Sequence, residues 1–420
     1  MSIRTRKPSL ARAQGIVCAG IKVVGSELIA LPGCLHRVIR QDVVSRITYP
    51  SADVASRDGY CFRAAGTKRA SARHPAALRL CGTVRSGERP GMKVGPRECV
   101  RIMTGAVLPE GADAVTPAEA VRPAGEWIRV PCTVRSGTHV RKAGTVAKRG
   151  DKVAAKGDLV RPGMLGLLGG LGVKKARVCR KVRMGIISTG DEMIGPDVNL
   201  RRWQVRDSNS MMLAGLGVEL GTEVFNLGIA GDTKEEILRL LRSAKGCDLV
   251  VLTGGSSMGV SDFVPSALES HGCRVLIRGI SLRPGTHLVF ARKGRTVYFG
   301  LPGRPGGCFS LFHILVRPAI LAMMGCAVPI PEALRAIWCG GAAERPEVDT
   351  LLEVYLGPDS RVSPVRSKGA GDLGALSRLN ALALLRAGAD PLKPGDAIEV
   401  FPVAWPSGRA VRGRRSGMSS

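Results

Sequence analysis

Four short segments between Ser188 and Pro305 carry the residue types needed to hold an anionic ligand. They are Ser188-Thr189-Gly190-Asp191-Glu192, Asp207-Ser208-Asn209, Thr253-Gly254-Gly255-Ser256-Ser257-Met258-Gly259 and Leu301-Pro302-Gly303-Arg304-Pro305. Glycine in such turns lets the main chain approach a ligand, and its free N–H groups can hold phosphate or another oxyanion. Carboxylates recur at the loop positions Asp58, Asp191, Glu192, Asp207, Asp232 and Asp262. Hard oxygen donors of this kind suit Mg²⁺, which bridges a few carboxylates and ligand phosphates. An Asp at a helix start serves equally as a cap. Arg283-Pro284-Gly285 puts a cation on a rigid turn, where a guanidinium can grip phosphate with two parallel hydrogen bonds; it also reads as a plain surface turn. The histidines show no metal spacing and no nucleophile to serve. The twelve cysteines include no Cys-x-x-Cys pair, which excludes a zinc or disulfide framework and points to reduced, buried thiols.

These segments need elements to position them. Residues 181–325 alternate strand and helix, which predicts a doubly wound parallel sheet. Strands are predicted over Val182–Ser188, Glu223–Gly228, Asp248–Thr253, Val275–Ile280 and Thr296–Phe299. Helices are predicted over Ser208–Leu220 with Ser208 or Asn209 as N-cap, Thr233–Ala244, Asp262–His271 and Gly306–Met324. Most of the four segments then follow a strand, and in open α/β sheets ligands bind at the carboxyl ends of strands. Residues 8–46 read as helix then strand. Residues 50–140, with short β-type runs and many Gly and Pro, read as a small β-domain. Residues 157–173 return to a helical pattern, apolar and Gly-rich, which predicts close packing against a neighbour. Residues 331–405 read as a final small β-domain, and the tail from Pro406 as disordered.

The chain has 420 residues, 45% of them hydrophobic and 4% aromatic, so its core rests on Val, Leu, Ile and Ala. The net charge of +28 is uneven: residues 1–180 carry +21, residues 181–330 carry +5 and residues 331–420 carry +2. A positive field concentrates anions such as phosphorylated ligands, although the same charge also describes a solvated basic surface. Without an RNA module or aromatic-rich strand, specific nucleic-acid binding is not expected. The basic start, Met1–Ser26, reads better as a first helix than as an organellar presequence. No apolar run is expected to reach the ~20 residues that span a membrane, because His313 and Arg317-Pro318 break the candidate near Phe309–Met324. A cytoplasmic location follows as an expectation.

Taken in order, the motifs resemble the molybdopterin molybdenumtransferase family, which includes the bacterial molybdenum-insertion enzymes and the E-domain of gephyrin. The resemblance runs from about residue 8 to residue 403. It is strongest at Pro50–Tyr60, Arg101–Glu119, Ile186–Asn209 and Asp248–Asp262. It implies four parts: a mixed first domain from residues 1–48 and 141–179, an inserted β-domain over 49–140, an α/β molybdopterin-binding domain over 180–329, and a C-terminal β-domain over 330–405. It implies a homodimer, with adenylylated molybdopterin and molybdate as ligands, Mg²⁺-assisted hydrolysis releasing AMP, and transfer of molybdenum to the dithiolene. A molybdopterin adenylyltransferase and apo-molybdoenzymes are the partners such a role brings.

By the same resemblance, Asp58, Thr104, Glu192, Asp232 and Asp262 match catalytic positions, with Asp232 and Asp262 as metal ligands. Arg141, Ser188, Thr189, Gly190, Asp207, Ser208, Asn209, Gly254, Gly255, Ser257, Arg283, Pro302 and Pro305 match cofactor-binding ones. There are departures. The family's Asp-Asn-Ser-Ala-Met-Asp-Gly-Tyr reads Asp53-Val54-Ala55-Ser56-Arg57-Asp58-Gly59-Tyr60. Its Gly-Glu-Asp reads Gly144-Thr145-Val146. Its Lys-Pro-Gly-Lys-Pro begins here with Arg283 and has Thr286 for the second lysine. Its Asn-Pro-Val-Ser reads Arg304-Pro305-Gly306-Gly307. Each removes or changes a polar group, so a non-catalytic molybdopterin-binding paralogue for storage or delivery stands as the alternative. A scaffold or nucleic-acid binder is a third reading.

Overall fold

Strand alternation and turn glycines organise residues 42–155, and strand–helix alternation organises the chain from 175 onward. A computed structural model describes residues 7–254, 263–343, 346–369 and 371–403. The chain divides into two compact units, one formed by Asp42–Ala155 and Gly163–Lys174, the other by Met1–Gln41, Lys156–Pro162 and Lys175–Ser420.

The first unit holds a six-stranded sheet in the order Ala114–Pro117, Gly59–Phe62, Glu98–Ile102, Ala76–Val84, Trp127–Val130, Arg122–Ala124. Side chains alternate across it: Phe62 and Cys99 enter one buried cluster while Cys61 and Val100 enter another. Gly59 is required where strands meet, since a Cβ there would lie 1.9 Å from the Thr116 carbonyl oxygen. The predicted helix over 157–173 is shorter, Pro162–Gly170, and only Leu168 in it is buried. Cβ atoms built on Gly163, Gly166 or Gly170 would meet nothing within 4 Å, so the expected close packing is not made among the described residues.

The second unit carries the α/β sheet. Its elements are β1 (Arg183–Thr189), α1 (Ser208–Glu219), β2 (Glu223–Ala230), α2 (Lys234–Ser243), β3 (Leu249–Gly254), α3 (Phe263–Ser270), β4 (Arg274–Arg278), β5 (Val289–Lys293), β6 (Thr296–Leu301) and α4 (Pro305–Leu311). The sheet order is β2-β1-β3-β6-β5-β4. The first four strands are parallel, as expected, while β5 runs against them and pairs antiparallel with β6 and with the edge strand β4. β5 has no strong sequence signal, because Val289–Lys293 is short and ends in charge. Two clusters cover the faces: Met184, Ile186 and Val251 on one side, Ile187, Val250 and Leu252 on the other.

α4 continues through a π-type turn, Phe312–Val316, into α5 (Arg317–Met324). The helix predicted over Gly306–Met324 is thus present, and it runs on through Arg317-Pro318. Pro318 cannot donate to the Ile314 carbonyl four residues back, and the buried Gln14 side chain donates to that oxygen instead, at 3.0 Å. Pro305–Met324 is therefore one helical stretch of 20 residues, long and apolar enough by composition to cross a membrane, yet 83% buried as a core helix of this unit. A closed barrel follows: β7 (Leu334–Trp338), β8 (Thr350–Leu356), β9 (Arg361–Pro364), β10 (Ala381–Leu385) and β11 (Ala397–Pro402).

Candidate active-site cavity

Three loop ends are tied together at the carboxyl edge of the parallel strands. Asn209, in the first turn of α1, donates from Nδ2 to the Thr253 hydroxyl at the end of β3 and to the Gly303 carbonyl after β6, both at 2.8 Å. The Thr253 hydroxyl donates in turn to the Pro302 carbonyl at 3.2 Å. The cap of α1 is Asp207, whose carboxylate accepts from Ser210 N–H, rather than Ser208 or Asn209; this frees Asn209 for the cross-link. Gly254 has φ +113°, and a Cβ there would lie 2.0 Å from the Thr189 carbonyl oxygen, so only glycine lets β1 and β3 close up at this edge. Among the described residues, several buried groups in this region have no partner: Ser188 Oγ, Thr189 Oγ1, Asn209 Oδ1 and Asp232 Oδ1. Buried polar atoms without partners cost free energy unless a ligand or water meets them.

The edge opens into a cavity of about 1240 Å³. Thr189, Gly190, Glu192, Asn209, Asp232, Gly254, Arg283 and Pro302 line it. Ser188, Asp207, Ser208 and Pro305 lie behind or beside that wall. Pro305 opens α4, where a missing N–H costs nothing. Asp232 N–H donates to Asp191 at 2.9 Å. The Asp232 carboxyl is held above the usual range, first by burial and then by the negative charges of Asp191 and Glu192. Like charges crowded in this way favour a bound cation. Among the described residues no group of three or more metal-ligating side chains is already assembled. Asp262, Gly255 and Ser257 lie outside the described residues.

Arg283 is exposed, and its backbone is strapped to the barrel. Its N–H donates to Asp349 O, and Leu351 N–H donates to Arg283 O, both at 2.8 Å. The altered positions Thr286, Arg304, Gly306 and Gly307 all line the cavity. Arg304 therefore brings a second guanidinium to the wall, while the two glycines bring no side-chain polar group. The barrel also contributes, through Trp338 and Glu353 among others. Sequence reasoning missed these two: Trp338 is one of four tryptophans, and Glu353 interrupts the otherwise uncharged strand TLLEVYL.

In the other unit, Asp58 accepts from Thr104 N–H and from the Thr104 hydroxyl, both at 2.7 Å. Those two bonds hold the Asp58 carboxyl below its ordinary range, the hydroxyl contributing most. Arg141 is exposed on a short strand paired with Val54.

Residues 8–172 match a family model described as the MoeA N-terminal region (domain I and II). Residues 185–322 match one described as a probable molybdopterin binding domain. A molybdopterin molybdenumtransferase of Bacillus subtilis is 32% identical over 309 residues, covering 72% of each chain. One from Staphylococcus aureus strain Mu50 is 26% identical over 377 residues, covering 89% of this chain and 90% of that one. Two crystal structures of a molybdopterin biosynthesis MoeA protein from Pyrococcus horikoshii are similar. One has a TM-score of 0.68 at 30% identity, covering 96% of this chain and all of that one. The other has a TM-score of 0.73 at 26% identity, covering 94% and 99%.

Proposed function

The chain belongs to the molybdopterin molybdenumtransferase family, and from that premise we propose that it acts in molybdenum cofactor biosynthesis. It passes molybdenum from molybdate to the dithiolene of adenylylated molybdopterin, and hydrolysis of the adenylate releases AMP. The observation that carries this reading is the cavity at the strand ends, lined by glycines, by Thr189 and Thr253 and by the two arginines Arg283 and Arg304. Gly190 and Gly254 are part of the cavity lining, where main-chain N–H groups can meet a phosphate. Arg283 and Arg304 offer paired donors to phosphate or molybdate oxygens. The Asn209 cross-link holds the three loop ends in register, so these groups are set before the ligand arrives.

Asp232 fits a divalent cation: among the described residues its Oδ1 is buried without a partner, and burial first, then two neighbouring carboxylates, raises its pKa. Mg²⁺ bound there would offset phosphate charge during hydrolysis. Asp262 is the second proposed ligand. In the same reading the chain has four parts, and Asp58 and Thr104 of the inserted β-domain and Arg141 of the mixed first domain serve the reaction. A cytoplasmic homodimer completes it; the apolar, glycine-rich and largely uncovered Pro162–Gly170 helix supports a second subunit.

The test is release of AMP from adenylylated molybdopterin by purified protein with molybdate and Mg²⁺. No AMP from protein that binds the pterin would refute catalysis. That outcome would select the second reading, a molybdopterin carrier. Its support is that Thr286, Gly306 and Gly307 line the cavity where the family's motifs have Lys, Val and Ser.

A further inference from the structure

The barrel strand β8 places one carboxylate where its fold gives no structural use for it. Leu352, Val354 and Leu356 point into the barrel cluster with Trp338 and Val400. By strand alternation Leu351 and Glu353 point the other way, and Leu351 is sunk in the core shared with the α/β sheet. Across the ladder Leu351 faces Leu384 and Glu353 faces Leu382, both fully covered in that same core. Among the described residues of β8, Glu353 is thus the one charge on the side it shares with Leu351 and Tyr355, and it reaches the cavity. Among the described residues its carboxylate has no hydrogen bond or ion pair. Burial holds its pKa up, with the negative charge of Asp372 adding to the effect. A half-buried acid without a protein partner is costly unless water or a ligand donates to it, and a ligand in the cavity can supply such donors. The strap between Arg283 and the start of β8 fixes how the cation and the acid stand on the cavity wall.

We propose that Glu353 is a specificity residue that accepts hydrogen bonds from the N–H edge of the ligand's heterocycle, with the Arg283 wall holding the anionic end. The inference rests on the function proposed above, in which that edge is the 2-amino group and N3–H of the pterin.

The experiment compares equilibrium binding of pterin-6-carboxylate and lumazine-6-carboxylate, which differ by an amino donor against an oxo acceptor at position 2. Wild-type protein is expected to prefer the pterin by about ten- to hundred-fold, the range of one hydrogen bond to a charged group. Glu353→Leu abolishes the preference. Glu353→Gln, nearly isosteric, flattens it, because an amide can turn a donor toward the lumazine oxygen. Arg283→Ala weakens both compounds and leaves their ratio unchanged. Equal binding of the two by wild type, or an unchanged ratio in Glu353→Leu, overturns the inference and leaves the proposed function standing. Binding of neither compound by a protein that releases AMP also overturns it alone. Binding of neither with no AMP release removes the proposed function as well.

Discussion

Replacing Asn209 tests whether the strand-end loops are held as one site. Its Nδ2 makes two hydrogen bonds of 2.8 Å, to Thr253 Oγ1 and Gly303 O, in a position only 4% exposed. A neutral hydrogen bond contributes a net ~0.5–1.5 kcal/mol, so Asn209→Ala should cost about 1–3 kcal/mol. Asn209→Asp keeps the shape but points a carboxylate at the Gly303 carbonyl oxygen in a buried site. An uncompensated buried charge costs about 3–5 kcal/mol, so the near-isosteric change should be the more damaging one. The readout is the order of urea midpoints, wild type above Ala above Asp, which needs no extrapolation to water in a multidomain chain. Pterin-6-carboxylate affinity should fall in the same order, because the loops that carry Gly254 and Arg304 lose their tie. An Asp variant that unfolds at the wild-type midpoint, or an Ala variant that loses neither stability nor affinity, would refute the reasoning.

Gly254→Ala adds a Cβ 2.0 Å from the Thr189 carbonyl oxygen at φ +113°. The backbone strain alone costs ~1–3 kcal/mol, so a fall in urea midpoint with loss of pterin binding is expected, and normal binding would count against the close approach. In the other unit, Thr104→Val removes the hydroxyl that does most to depress Asp58. The Asp58 carboxyl should then titrate nearer 3.8 by NMR. The wild-type contribution is present above that unfolded value and is lost as pH falls through the lower folded one. His313 is buried between Phe309 and Phe312, with no partner on either ring nitrogen among the described residues, and burial, then Arg317, pushes its pKa down to about 3. The folded state therefore holds it neutral. The stability is complete above the unfolded value of 6.5 and declines as pH falls toward 3, by up to about 1.4 kcal/mol per pH unit. His313→Leu should flatten that slope in urea midpoints, and an unchanged slope would exclude His313 as its source.

The alternation of strands and helices from 181 to 325 was readable from the chain because each element has its own apolar period, 2 or 3.6 residues. Motif order was readable too, since Thr189-Gly190, Asp207-Ser208-Asn209 and Thr253-Gly254 are contiguous in sequence. What a local reading misses is the length of the apolar stretch: Pro305–Met324 stays helical through Arg317-Pro318, where Gln14, some 300 residues away, donates to the Ile314 carbonyl. The cap of α1 fell on Asp207 because Asn209 is needed for the cross-link to Thr253 and Gly303.

By itself, then, the amino-acid sequence determined the α/β class and the strand-end segments, because both depend on neighbours within a few residues. Only the tertiary structure decided which groups share a cavity. Arg304 became a wall residue rather than a mere lost amide, and Asp232 met Asp191 and Glu192. The barrel, which begins almost 80 residues after β3, delivered Trp338 and Glu353 to the same space. Those juxtapositions come from closing long loops around a shared core, and no local pattern of residue types records which distant strand will close the wall.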